Sequence, residues 1–115
     1  MSDEAILLKK GEQKRSIKKP GRLYRLMIKS ENLEAIIAEI DPHTSSPWYK
    51  HDGEELHYVL EGEIDYDVGE KSYKLQKGEL LWHKSNIKHR ARNNSDKKVK
   101  YATVGSPPTF IIGKI

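Results

Sequence analysis

Turn-forming pairs recur about every ten residues along this chain: Pro20-Gly21, Asp41-Pro42, Asp52-Gly53, Glu61-Gly62, Gly69-Glu70, Lys77-Gly78, Asn93-Asn94 and Pro107-Pro108. Glycine tolerates positive φ, proline fixes φ, and Asn and Asp fold back on their own backbone, so each pair ends an extended run. The intervals suit short strands and leave little room for helices. The spacing therefore predicts an all-β sandwich or barrel.

The intervening segments support this. Aromatic and β-branched residues dominate 22–28, 56–60, 64–68, 72–75, 80–83, 88–93 and 99–104. Ile64, Tyr66 and Val68 alternate with Asp65 and Asp67, and Val99, Tyr101 and Thr103 with Lys100 and Ala102, as one-sided burial of a strand requires. Segment 31–40 departs from the pattern: Leu33, Ile36, Ile37 and Ile40 stand at helical spacing among good helix formers. Its strand neighbours argue for a strand there too. No repeat, low-complexity tract or linker divides the 115 residues, so residues 1–115 are read as one domain with a basic N-terminal arm, 1–21, packing on the barrel.

Composition narrows the chemistry. The chain has no cysteine, so it has neither disulfides nor thiolate ligands, and any metal must take nitrogen and oxygen donors. No apolar run approaches the roughly 20 residues of a membrane span, and Met-Ser-Asp-Glu is unlike a secretory start, so no membrane association and a cytoplasmic location are expected. The net charge of +4 is concentrated at the start, where residues 1–29 carry nine Lys or Arg against three acids. Lys9, Lys10, Lys14, Arg15, Lys18 and Lys19 read as a solvated arm, and Arg90 and Arg92, alternating with His89 and Ala91, as an outward strand face. Neither forms a nucleic-acid-reading element, so direct nucleic-acid binding is not expected.

The reactive side chains gather around Trp48–Gly62. In a straight strand His51 and Glu55 would stand about 13 Å apart, whereas ligands of one metal each lie about 2.0–2.2 Å from it. Asp52-Gly53 supplies the bend, read here as a tight hairpin turn. Past it, Glu55, His57 and Val59 share one strand face; before it, Tyr49 and His51 share another; and His89, Ala91 and Asn93 form a third inward row. His51, Glu55 and His89 are thus the candidate metal ligands, with Tyr49, His57 and Asn93 as candidate pocket-lining residues. His57 reads as a hydrogen-bonded lining residue rather than a ligand, and Asn93 also as the tie of its own turn. His83 is assigned a structural or surface role, His43 a turn, and Trp48 and Trp82 wall and core.

These residues resemble the cupins, small β-barrels with two motifs. The first runs His, any residue, His, three or four residues, Glu, six residues, Gly. His51, Glu55 and Gly62 match it, and Tyr49 stands at the first His position. Gly78, His89 and Asn93 fit the second motif, with Lys84 and Asn86 in place of its Pro and second Gly. The chain is also similar to the C-terminal sensor domain of regulators that join a helix-turn-helix to a cupin, from Lys18-Lys19-Pro20-Gly21 through Leu33-Glu34-Ala35-Ile36 and Tyr58–Gly62 to Gly105-Ser106-Pro107-Pro108-Thr109-Phe110. The DNA-reading helices have no counterpart here.

The resemblance implies a single jelly-roll barrel, commonly a homodimer, holding a divalent metal (Zn, Fe, Mn or Ni) on His51, Glu55 and His89. Tyr49 is a poor substitute for the first His, because a neutral phenol ligates only after a metal displaces its proton. Two functions follow. One is a module that binds a small polar metabolite, with or without metal, beside a separately encoded transcriptional regulator. The other is a small metal-dependent enzyme of isomerase or dioxygenase type, in which His57 or Tyr49 moves a proton. The sensor-like sequence at both ends of the chain favours the first.

Overall fold

The computed structural model describes residues 4–108, and over that span the chain forms strands and no helix. In chain order these are β1 (Arg15–Lys19), β2 (Arg22–Lys29), β3 (Glu34–Ile40), β4 (Thr44–Ser45), β5 (Glu54–Glu61), β6 (Glu63–Val68), β7 (Lys71–Gln76), β8 (Leu80–Lys84), β9 (His89–Asn93) and β10 (Val99–Ser106). They build two antiparallel sheets, ordered β1-β2-β3-β10-β5-β8 and β4-β9-β6-β7. The sheets face each other as a jelly-roll without closing into a continuous barrel. Thr109 and Phe110, the end of the sensor-like pattern, lie outside the described residues.

The core lies between the sheets. Tyr24, Leu26, Ile36, Ala38, Ile40, Val59, Ile64, Tyr66, Leu75, Ala91, Val99 and Tyr101 point inward, each at every second position of its strand. Segment 31–40 forms a strand over Glu34–Ile40 despite its helical spacing. β3 pairs on both sides, with β2 and β10, and its burial alternates strictly, so Ile36 and Ile40 go inside while Ile37 turns outward. Two ladders of hydrogen bonds outweigh a weak local preference. The basic arm contains a strand that the sequence reading missed: β1 pairs with β2 from Arg15↔Leu26 to Lys19↔Arg22. Residues 8–13 then run over the outer face of the first sheet, forming a hollow with Met27, Ile37 and Leu60.

The Asp52-Gly53 bend differs from the expected hairpin. Before it, Tyr49 exchanges both backbone hydrogen bonds with His89, in the second sheet. After it, Glu54 pairs with Lys84, in the first. The chain therefore crosses from one sheet to the other at Gly53. Segment 85–89 makes the same crossing beside it, joined by His51 N–H to Ser85 O and Ser85 N–H to Gly53 O. Gly53 has φ +102°, and a Cβ there would stand 2.1 Å from the carbonyl oxygen of Ser106. Only glycine fits this corner.

The two tryptophans lie elsewhere than expected. Trp48 and Trp82 are 43% and 53% exposed, on the outside of the fold rather than in wall or core. Lys88 and Arg90 stand over the Trp48 ring, and Trp82 Nε1–H donates to Glu54. His43 does occupy a turn, with φ +56°. Arg90 and Arg92 face outward and both donate to the Asp67 carboxylate.

Candidate functional site

At one end of the sandwich the inward positions change from apolar to polar. Along β5 the inward residues run Glu55, His57, Val59, and along β10 they run Val99, Tyr101, Thr103, so Thr103 lies opposite His57 and Tyr101 opposite Val59. β8 contributes His83 directly opposite Glu55, β9 contributes His89, and the corner before Gly53 contributes His51. Four histidines therefore surround one carboxylate, each with its side chain at most 5% exposed.

Nε2 of His89 lies 2.9 Å and Nε2 of His51 3.2 Å from Glu55 Oε1, with Nε2 of His83 at 3.8 Å; Nε2 of His57 is 3.5 Å from Oε2. Ser85 Oγ–H donates to Oε1. His51, Glu55 and His89 form one group with spacing suited to a metal ion, and Glu55, His57 and His83 form another. The structure thus brings together the three expected ligand positions. It also brings in His83, which the sequence reading had set aside. Leu80, Leu81 and Trp82 are all apolar, so alternation on β8 was illegible; its outward face, Leu80 and Trp82, stays exposed while Leu81 and His83 turn in.

The other ring nitrogens decide the chemistry. Nδ1 of His89 lies 2.8 Å from the carbonyl of Ile87, Nδ1 of His83 2.9 Å from that of Lys84, and Nδ1 of His51 3.3 Å from that of Asp52. A carbonyl only accepts, so each Nδ1 carries a proton and each ring turns its Nε2 toward Glu55. Lone pairs facing a carboxylate repel unless a proton or a metal cation lies between them. This donor set of imidazole nitrogens oriented by backbone carbonyls around a carboxylate fits a divalent metal, whose histidine ligands are oriented in the same way.

His57 is different. Its Nε2 is 3.0 Å from Nε2 of His83 and its Nδ1 2.7 Å from Thr103 Oγ1. Because neutral His83 bears its proton on Nδ1, His57 must donate from Nε2 and accept the Thr103 hydroxyl at Nδ1. Burial lowers the His57 pKa to about 3, beyond what the Glu55 charge restores, so the ring is neutral. Burial also lowers His83. For Glu55 burial works upward, but hydrogen bonds from His51 and His89 outweigh it and hold the carboxyl well below the usual range. Burial keeps Tyr49, Tyr66 and Tyr101 phenolic. The Tyr66 ring stacks on His57 with centroids 4.0 Å apart.

Tyr49 lines the cavity, but Arg22 Nη1 donates to its hydroxyl at 3.4 Å and to that of Tyr24 at 3.1 Å. Asn93 does not line it. Its side-chain amide donates to the carbonyls of Ile40 and Lys97, and its oxygen accepts from Ser95. It ties its turn to β3.

The cavity beside the histidines measures about 30 Å³ and is lined by Tyr49, His51, Glu55, His57, His89 and Thr103 among others. A single water occupies about 10–15 Å³ by such a measure, and pockets for whole drug-sized ligands about 300–1,000 Å³. A hollow of about 490 Å³ lies at the other end of β5, against Gly62, Gln76 and Lys97, with no histidine.

Comparison with known proteins places these features in context. The family model described as the cupin domain matches residues 36–105. Among solved structures, an RmlC-like cupin from Shewanella frigidimarina superposes with a TM-score of 0.78 at 19% identity, covering 91% of this chain and 94% of that one. A conserved protein with a double-stranded beta-helix domain from Klebsiella pneumoniae gives 0.77 at 18%, covering 92% and 93%. The Cupin_2 domain of an XRE family transcriptional regulator from Enterobacter cloacae gives 0.71 at 15%, covering 76% and 98%. At these identities the likeness is one of fold. No curated protein sequence matches the chain.

Proposed function

This chain belongs to the cupin family, and from that premise we propose that it holds one divalent cation (Zn, Fe, Mn or Ni) on His51, Glu55 and His89 and uses it to capture a small polar metabolite. The observation that carries this reading is the convergence of imidazole Nε2 atoms on Glu55 Oε1, at 2.9 Å from His89 and 3.2 Å from His51. When bound, such an ion acts as a Lewis acid toward an oxygen donor.

Size and charge define the metabolite. Beside the ligands there is room for about two or three water-sized groups, in about 30 Å³. The metabolite must therefore present one narrow, oxygen-bearing end to the centre while its body stays toward the mouth. One carboxylate offsets one of two positive charges and leaves a net +1, which favours an anionic end such as a carboxylate. His57 lines this space, with its N–H given to the cluster itself.

Binding is favoured over acid–base catalysis by His57 and the three cavity tyrosines, which burial moves away from neutral pH. His57 is lowered to about 3, and Tyr49, Tyr66 and Tyr101 are raised, whereas proton transfer works best with a pKa near the operating pH. A sensory role beside a separate regulator is supported by the shared fold of the regulator's cupin domain. A homodimer is supported by exposed Tyr58, Leu80 and Trp82 on the outer face of β5 and β8. Light scattering at twice the chain mass supports it; monomer mass contradicts it.

The test is elemental analysis of protein purified without chelators, followed by thermal denaturation with small carboxylates before and after chelation. A stoichiometric ion, with stabilisation by the carboxylates that chelation abolishes, is expected; saturation at 100 times Kd adds about 2.7 kcal/mol. Stabilisation that survives chelation, or no ion uptake, contradicts the reading.

A further inference from the structure

We propose that His83 is a fourth protein ligand of the centre, supplying from β8 the donor that position 49 does not. This rests on the reading that the cluster holds an ion. Three observations on this chain carry it.

First, position 49 is turned to another use. The Tyr49 hydroxyl accepts from Arg22 at 3.4 Å, and a phenol is a weaker metal donor than an imidazole. Second, His83 stands opposite Glu55 in the β5–β8 ladder with its Nε2 3.8 Å from Oε1, and its ring centroid is 4.6 Å from that of His89. Donors about 2.0–2.2 Å from a common ion lie about 3.0–3.6 Å from one another, so His83 stands just beyond that range from Oε1, and Glu55 is the member shared by the group of His83 and His57 and the group of His51 and His89. Third, His83 shares the preparation of His51 and His89: its Nδ1–H is held by a backbone carbonyl, that of Lys84, at 2.9 Å, which commits Nε2 to the interior.

His57 then has a defined part. Its Nε2–H donates to His83 Nε2 at 3.0 Å, and Oε2 of Glu55 is the alternative acceptor at 3.5 Å. With the His83 lone pair given to an ion, the His57 N–H would donate to Oε2 instead, while Thr103 would continue to donate to Nδ1. No proton is gained or lost by His57, and the free oxygen of the ligating carboxylate is satisfied. The centre thus has three imidazoles and one carboxylate as ligands and His57 as a positioning residue.

The wild-type protein itself gives the test. In long-range proton–nitrogen spectra of its imidazoles, one equivalent of Zn²⁺ should shift the Nε2 signals of His51, His83 and His89 together, while His57 remains an Nε2–H ring. A His83 Nε2 signal that stays still while those of His51 and His89 move overturns the inference and leaves the ion reading standing. If none moves and no Zn²⁺ is taken up, the ion reading falls and this inference with it. Competition titration supplies a second measure: His83→Gln should bind Zn²⁺ at least about tenfold more weakly than wild type, and equal affinity overturns the inference.

Discussion

Nε2 of His89 stands 2.9 Å from Oε1 of Glu55 while the same ring is held through Nδ1 by the carbonyl of Ile87. The pair is satisfied only if something positive lies between them. His51 and His83 repeat the arrangement, so the polar end of the jelly-roll offers a set of donors that could hold a cation around one negative charge.

The corner that brings His51 to Glu55 depends on Gly53. Gly53→Val should destabilise the fold by more than about 3 kcal/mol, because a β-branched residue resists φ +102° and its Cβ would meet the Ser106 carbonyl at 2.1 Å. Thermal denaturation checks this. An unchanged melting temperature would mean that the crossing is built differently.

Asn93 separates fold from site. Asn93→Ala removes hydrogen bonds to Ile40, Lys97 and Ser95 and leaves buried backbone groups unpaired, with an expected loss of about 1–3 kcal/mol. Ion affinity should be unaltered. Denaturant unfolding with ion titration tests both halves, and weakened binding in a folded variant would place Asn93 in the site.

Acid stability should depend on Asp67. Hydrogen bonds from Arg92 outweigh burial and, with those of Ser72 and Arg90, hold its carboxyl below the ordinary value of 3.8. A carboxyl lowered in the folded state stabilises above its unfolded pKa and loses that contribution as pH falls through the folded one. Asp67→Asn should therefore reduce stability at pH 7 and flatten the loss of stability below about pH 4. Parallel curves for wild type and variant would contradict this.

Much of the architecture was legible in the sequence because turn chemistry and alternation are local signals. The strand β3 was legible only through its neighbours, since Leu33, Ile36, Ile37 and Ile40 alone specify a helix. The positions of His51, Glu55 and His89 were legible because motif spacing records which residues flank the crossing. His83 was hidden by an edge strand with apolar residues on both faces, where alternation carries no information. The exposure of Trp48 and Trp82 was hidden too: Trp48 is flanked by Lys88 and Arg90, and Trp82 is anchored by Glu54, contacts set by tertiary pairing. The size of the cavity depends on how Tyr66, Tyr101 and Tyr49 fill the interior, which no single segment encodes.

The central claim is that Glu55 and its histidines form a cation site. Its most direct measurement is calorimetric titration of chelator-stripped wild type and Glu55→Gln with Zn²⁺, with circular dichroism confirming that both are folded. The account predicts one ion bound per chain by wild type and a loss of at least about tenfold in affinity in Glu55→Gln, where the only anionic donor is gone. Equal binding by the two folded proteins, or none by wild type, would contradict it.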